Sequence, residues 1–182
     1  MSLILSVESK GRVQELLALI EDVDNGSTRA LYRTLDATQK KAKVEASKKI
    51  RSQLKLSKAY VDERLFTGNP SWSNLTARLY ANKRGILLSR FEHRSAKNGG
   101  VDVKIKPGSP WRNLPNAFIL PRLKNSGVPG IAVRTGGKLK VLHAPSTSQV
   151  LNTYLPELQE EMAEFALERL SKEVETIIRR AR

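Results

Sequence analysis

The chain has 182 residues, 40% of them hydrophobic, with 32 lysines and arginines against 18 acids and a formal net charge of +14. That length is one domain's, with apolar content sufficient for a core to which only ten aromatic residues contribute. With no cysteine, a disulfide framework and a thiolate metal site are excluded, which fits a reducing cytoplasm, and no run approaches the roughly 18 apolar residues of a membrane span.

The charge is uneven. Residues 1–27 carry two cations and five acids, residues 28–144 carry 25 and six, and residues 145–182 carry five and seven. The basic excess therefore belongs to the middle of the chain, where a field of this size attracts polyanions or an acidic protein surface. The same excess can also serve as a solubilising surface. The N-terminal MSLILSVESK lacks a basic leader and a small-residue cleavage site, so no export from the producing cell is expected.

Leu3, Leu5 and Val7 alternate with Ile4 and Ser6, as in a short strand or ordered arm. Arg12 to Ile20 reads as a short helix with Val13, Leu16, Leu17 and Ile20 on one face. After the break EDVDNGS, Ser27 or Thr28 can cap a second helix from about Arg29 to Leu54. Its stripe is narrow and small: Leu31, Leu35, Ala42, Ala46, Ile50 and Gln53. On the opposite side Arg33, Lys40, Lys41, Lys48, Arg51 and Lys55 occupy an arc that contains no acid. Like charges along a helix repel by tenths of a kcal/mol per pair, so this face is the candidate contact for an anionic partner or DNA. A solvated face is its simpler reading. Ser57 is placed to cap a third short helix through Tyr60, Val61 and Leu65.

Phe66 to Ser73 breaks the helical part from a β-rich part. Leu75, Ala77, Leu79 and Ala81 alternate, Asn82 to Gly85 turns, and Ile86 to Glu92 returns. The polar His93–Gly100 stretch reads as a loop. Val101, Val103 and Ile105 against Asp102, Lys104 and Lys106 form the cleanest strand. Ala117 to Leu120 is an apolar run closed by Pro121. Ile131 to Thr135 and Leu139 to His143 flank Gly136-Gly137 as a β-hairpin. A three-residue loop, Gly136 to Lys138, faces Val133 with Val141 and is preferred over a two-residue loop that faces Val133 with Lys140. Ser146 to Asn152 can form one or two helical turns. A last helix over 154–181 follows, with Pro156 and four glutamates early and arginines late. Its stripe is Leu155, Leu158, Met162, Ala166, Leu170, Val174 and Ile177, with Phe165 and Ile178 beside it. The predicted fold is therefore α+β: N-terminal helices, a small antiparallel sheet of four to six strands, and a long C-terminal helix packed on it. In domain terms, residues 1–27 are an arm with a short helix, and 28–182 form one domain: helical over 28–66, β-rich over 74–144, helical again over 154–181.

No catalytic, cofactor or metal site is expected. His93 and His143 each lack a second histidine or carboxylate at ligand spacing. No serine sits in a recognisable elbow, and Glu92 and Asp102 are too few carboxylates for a metal-dependent nuclease. Trp72 and Trp111 could stack on bases, but each follows a Pro-Ser or Ser-Pro pair and better anchors a loop on the core.

Three segments taken together resemble the minor tail protein Z family of long-tailed bacteriophages. The first is residues 30–65, ALYRTLDATQKKAKVEASKKIRSQLKLSKAYVDERL, an A-L-x-R-T helix start with spaced alanines and then K-x-x-V-x-x-R-L. The second is PNAFILPRLKNSGVPGIAVRTGG, residues 115–137. The third is A-P-S-T-S-Q-V from Ala144, leading into the Glu- and Arg-rich last helix. The likeness spans about residues 28–182, and its specificity lies in the order of the segments. It implies a non-enzymatic virion protein that completes the head-proximal end of the tail and helps join tail to head, present in the host cytoplasm during assembly. The implied partners are other tail and neck proteins, further copies in a homo-oligomeric ring such as a hexamer, and the genome end, with no membrane and no cofactor. The alternative is a general basic nucleic-acid-binding protein.

Overall fold

The computed structural model describes residues 2–5, 11–124 and 127–181. Its helices are α1 (Arg12–Ala18), α2 (Gly26–Gln53), α3 (Lys58–Asp62), α4 (Thr147–Thr153) and α5 (Leu155–Ala181). The strands are β1 (Ser2–Leu5), β2 (Leu65–Gly68), β3 (Ala77–Ala81), β4 (Ile86–Leu87), β5 (Glu92–Ser95) and β6 (Val101–Lys104). They continue with β7 (Arg112–Leu114), β8 (Ala117–Leu120), β9 (Gly130–Thr135), β10 (Lys138–Val141) and β11 (His143–Ala144). The class is α+β as expected, but the strands do not share one sheet. They form four antiparallel sheets, ordered β1-β3-β2, β5-β6-β7, β10-β9-β8 and β11-β4. The reason is local: the strands are two to six residues long, and Pro107, Pro110, Pro115, Pro121, Pro129 and Pro145 lie between them. A proline cannot donate to a ladder, so the chain leaves one sheet and starts another.

Helix α2 is the common support. It buries Ala42, Ala46 and Ile50 against Val61, Leu65 and Leu79, and Ala30 against Leu170, Val174 and Ile177. Its covered arc is wider than the apolar stripe because polar side chains complete it, three of them bonded, while the buried Thr34 hydroxyl has no partner among the described residues. Thr38 Oγ1 donates to the Thr34 carbonyl at 2.7 Å, Gln39 Nε2 to the Gly68 and Arg78 carbonyls at 2.7 and 3.1 Å, and Ser47 Oγ to Asp62 at 2.6 Å. A buried polar group that is bonded in this way escapes the desolvation penalty.

Helix α5 runs antiparallel along α2. Arg33 meets Glu173, Lys41 lies over the Phe165 ring and Lys49 meets Glu157, contacts that step by eight residues in opposite directions. The expected packing of this helix on the sheet is thus corrected: its main neighbour is α2, with α1 and α4 alongside. A 27-residue helix is about 40 Å long at 1.5 Å per residue, longer than any of these sheets can cover, whereas α2 matches it. Only its first turns, through Leu158 and Met162, reach the larger core. Val13 and Ile20, on and just after α1, close the smaller core at the other end.

Several boundaries differ from the sequence reading. Asn25, left-handed at φ 53°, leads directly into Gly26, so Ser27 and Thr28 lie inside the first turn and cap nothing. Ser57 does cap α3, its Oγ accepting from the Tyr60 amide at 3.3 Å, but Leu65 starts β2 instead of ending the helix. Leu65 to Gly68, assigned partly to a break, pairs with β3. The Ile86–Glu92 segment does not return on β3. It splits into β4, a 3-10 turn at Leu88–Arg90, and β5, and these two strands pair with β11 and β6. His93 to Ser95 is therefore strand, not loop, and β7 is a strand beyond those expected. The hairpin has the two-residue loop, with Lys140 opposite Val133. Gly136 and Gly137 both have positive φ, 56° and 77°, the conformation of a type I′ turn. Because β10 is largely exposed, no apolar face overrides that preference. Ser2 to Leu5 pairs with β3; Val7, expected in the same strand, lies outside the described residues.

Candidate anion-binding surfaces

Of the six predicted cations, Arg33, Lys40, Lys41, Lys48 and Arg51 lie on α2 and Lys55 falls just beyond its extended C-cap Leu54, and the face is not unopposed. Arg33 Nη1 lies 3.4 Å from Glu173, Lys40 Nζ 2.7 Å from Asp36, Lys48 Nζ 2.7 Å from Glu45 and Lys55 Nζ 2.7 Å from Glu92. Lys41 Nζ sits 4.1 Å above the Phe165 ring. Arg51 has no carboxylate within 4 Å among the described residues, and its buried Nε lacks a partner there. Asp36 and Glu45 flank the cationic arc at the i,i+4 and i,i+3 positions, and Glu173 and Glu92 arrive from α5 and β5. The one-sign face read from the helix alone is thus largely neutralised by the molecule's own carboxylates. The bond to Asp36 raises the Lys40 pKa above its ordinary value, and the bond to Lys55 lowers that of Glu92. Both shifts favour the charged, paired forms.

A second surface assembles where no single segment signalled it. A cleft of about 870 Å3 opens between α3, the 82–85 turn, β4, the 121–124 connection and the β10–β11 strands. Its cations are Arg64, Arg84, Arg90, Arg122 and Lys124, with His143 on β11, and no acidic residue lines it. None of the five cations has a carboxylate within 4 Å among the described residues. Arg64 is set by its surroundings: its guanidinium lies 3.6 Å from the Tyr60 ring centroid and Nη1 donates to the Tyr60 carbonyl at 3.4 Å. Arg90 approaches the same ring at 5.6 Å. Such stacking holds a planar guanidinium and leaves its fork of donors free for an anion. The Arg84 amide donates to Asn82 Oδ1 at 2.8 Å, which shapes the turn that presents it. Half-buried Leu87, Leu120, Leu123 and Val128 complete the walls. Periodicity could not reveal this site because its cations come from turns and connections; the clusters Lys83-Arg84 and Arg122–Lys124 were its only trace.

A second cleft, of about 680 Å3, is mainly apolar and lies between Leu54, Val103, Ile105, Trp111 and Tyr154. Neither tryptophan anchors a loop in the core, contrary to expectation. Trp72 is exposed and stacks on Tyr32 at 6.0 Å, and Trp111 lies half-exposed under the Arg94 guanidinium at 4.5 Å. His93 and His143 each bond a backbone carbonyl two residues earlier. No group of three or more His, Asp or Glu side chains able to hold a metal ion occurs among the described residues. Comparison with protein-family models, with curated proteins and with solved structures finds no match for this chain.

Proposed function

We propose that this chain is a non-enzymatic structural protein of a long-tailed phage, completing the head-proximal end of the tail and helping to join it to the head. The observation that carries the reading is spatial. Of the three segments that resemble the minor tail protein Z family, residues 30–65 supply Tyr60 and Arg64 to the basic cleft, and residues 115–137 supply Leu120, Arg122, Lys124 and Val128. The third, from Ala144 onward, contributes no residue to the lining. Two segments far apart in sequence thus meet at one surface, which supports a shared binding task. A net charge of +14 suits a component that docks on an acidic neighbour or near the genome end. In this reading the protein works in the virion tail after assembling in the host cytoplasm, with tail and neck proteins and further copies of itself in a ring as partners.

A general nucleic-acid-binding protein is the second reading, favoured by the same unopposed cations. Labelling of particles separates them. Antibody against the chain should mark the head-proximal tail end, and particles made without it should accumulate as separate heads and tails. Joined, infectious particles that contain none of the chain would refute the tail-completion reading.

A further inference from the structure

We infer that the basic cleft receives an acidic peptide segment carrying an apolar anchor residue, contributed by a partner protein, and that it is not a nucleic-acid groove. This deepens the assembly reading and rests on it for the setting in which such a partner is met.

The cation set identifies an anion. Four of the five cations are arginines, whose planar forks match carboxylates or phosphates with paired hydrogen bonds. Three features then favour carboxylates on a peptide. Half-buried aliphatic side chains of Leu87, Leu123 and Val128 lie among the guanidinia, and the exposed Leu139 stands beside them on β10. A phosphodiester ridge offers these groups nothing to bury, whereas an apolar side chain between two acids fills them. Next, the ring a base would stack upon is already occupied: Tyr60 carries Arg64 at 3.6 Å and Arg90 at 5.6 Å. Single-strand binding relies on such platforms being free. Finally, the site is concave and about 870 Å3, a size that encloses a few side chains, while a duplex presents a broad convex backbone.

Affinity measurements on the full chain test this with four labelled probes: a Glu-Leu peptide, a Glu-Gln peptide of equal length and charge, and single-stranded and duplex DNA of equal charge. The Glu-Leu peptide should bind about tenfold more tightly than the Glu-Gln peptide, the effect of burying one aliphatic side chain. Leu139→Ser should erase that preference at a site too exposed to affect folding. Arg90→Ala with Arg122→Ala should weaken Glu-Leu binding about tenfold or more, while Lys40→Gln with Lys48→Gln should change it less than about twofold. Tighter binding of either DNA, equal binding of the two peptides, or equal damage from the α2 substitutions would each overturn the inference. None of these results bears on particle labelling, so the cleft assignment can fail while the tail-completion reading stands.

Discussion

Glu173 is the acid whose removal should be felt most. It is a helix-α5 residue 6% exposed, reached by Arg33 Nη1 from α2 at 3.4 Å and by Arg169 Nη2 from its own helix at 2.5 Å. Glu173→Ala removes the shared acceptor of two guanidinia, and the buried Nε of Arg169 already lacks a partner among the described residues. Breaking a buried ion pair costs about 3–5 kcal/mol. Here the two arginine side chains are 41% and 40% exposed, so water recovers part of the loss and about 2–3 kcal/mol remains. For a chain of this length that lowers Tm by about 4–12 °C. Thermal and urea unfolding followed by circular dichroism measure it, with Glu173→Gln falling between and Arg33→Ala losing less because its bond is the longer. A loss below about 0.5 kcal/mol for Glu173→Ala would show that the α2–α5 contact is held by its apolar side chains alone.

Gly100, at φ 84°, would place an added Cβ onto the Leu114 carbonyl oxygen at the β6–β7 edge. Gly100→Ala should therefore cost more than about 1 kcal/mol in urea unfolding, and a neutral result would place strand β7 elsewhere. The Asn113 amide and the Arg94 guanidinium lower the Asp102 pKa, and the Lys55 ammonium lowers that of Glu92. Groups so depressed stabilise the fold above their unfolded pKa values and lose that contribution as pH falls through the folded ones. Stability should fall on acidification below about pH 4, and Asp102→Asn should flatten that fall; an unchanged acid limb in the variant would assign it to other carboxylates. Duplex DNA affinity, whatever its strength, should keep the same salt slope in the Lys40→Gln, Lys48→Gln variant, since both ammonium groups are already paired. A slope shallower by about two would mean those ion pairs open to contact phosphates.

Long periodic elements were legible from the residues alone. The pattern Leu158, Met162, Leu170, Val174 and Ile177 placed α5 correctly, the Ser57 cap was found at its position, and Val101 and Val103 marked β6, since these signals depend on neighbours within a turn or two of chain. The α+β class and the excess of positive charge in the middle of the chain also belong to the sequence. Which surfaces met was another matter, because it depends on groups distant in sequence. Glu173 and Glu92 came from other elements to neutralise a row that looked unopposed on its own helix. Short strands separated by prolines could be recognised singly but not sorted into four sheets, since pairing energy resides in the partner strand. The basic cleft was the least visible of all: Arg64, Arg84, Arg90 and Arg122 share no spacing, and only the folded chain brings their charges to one place.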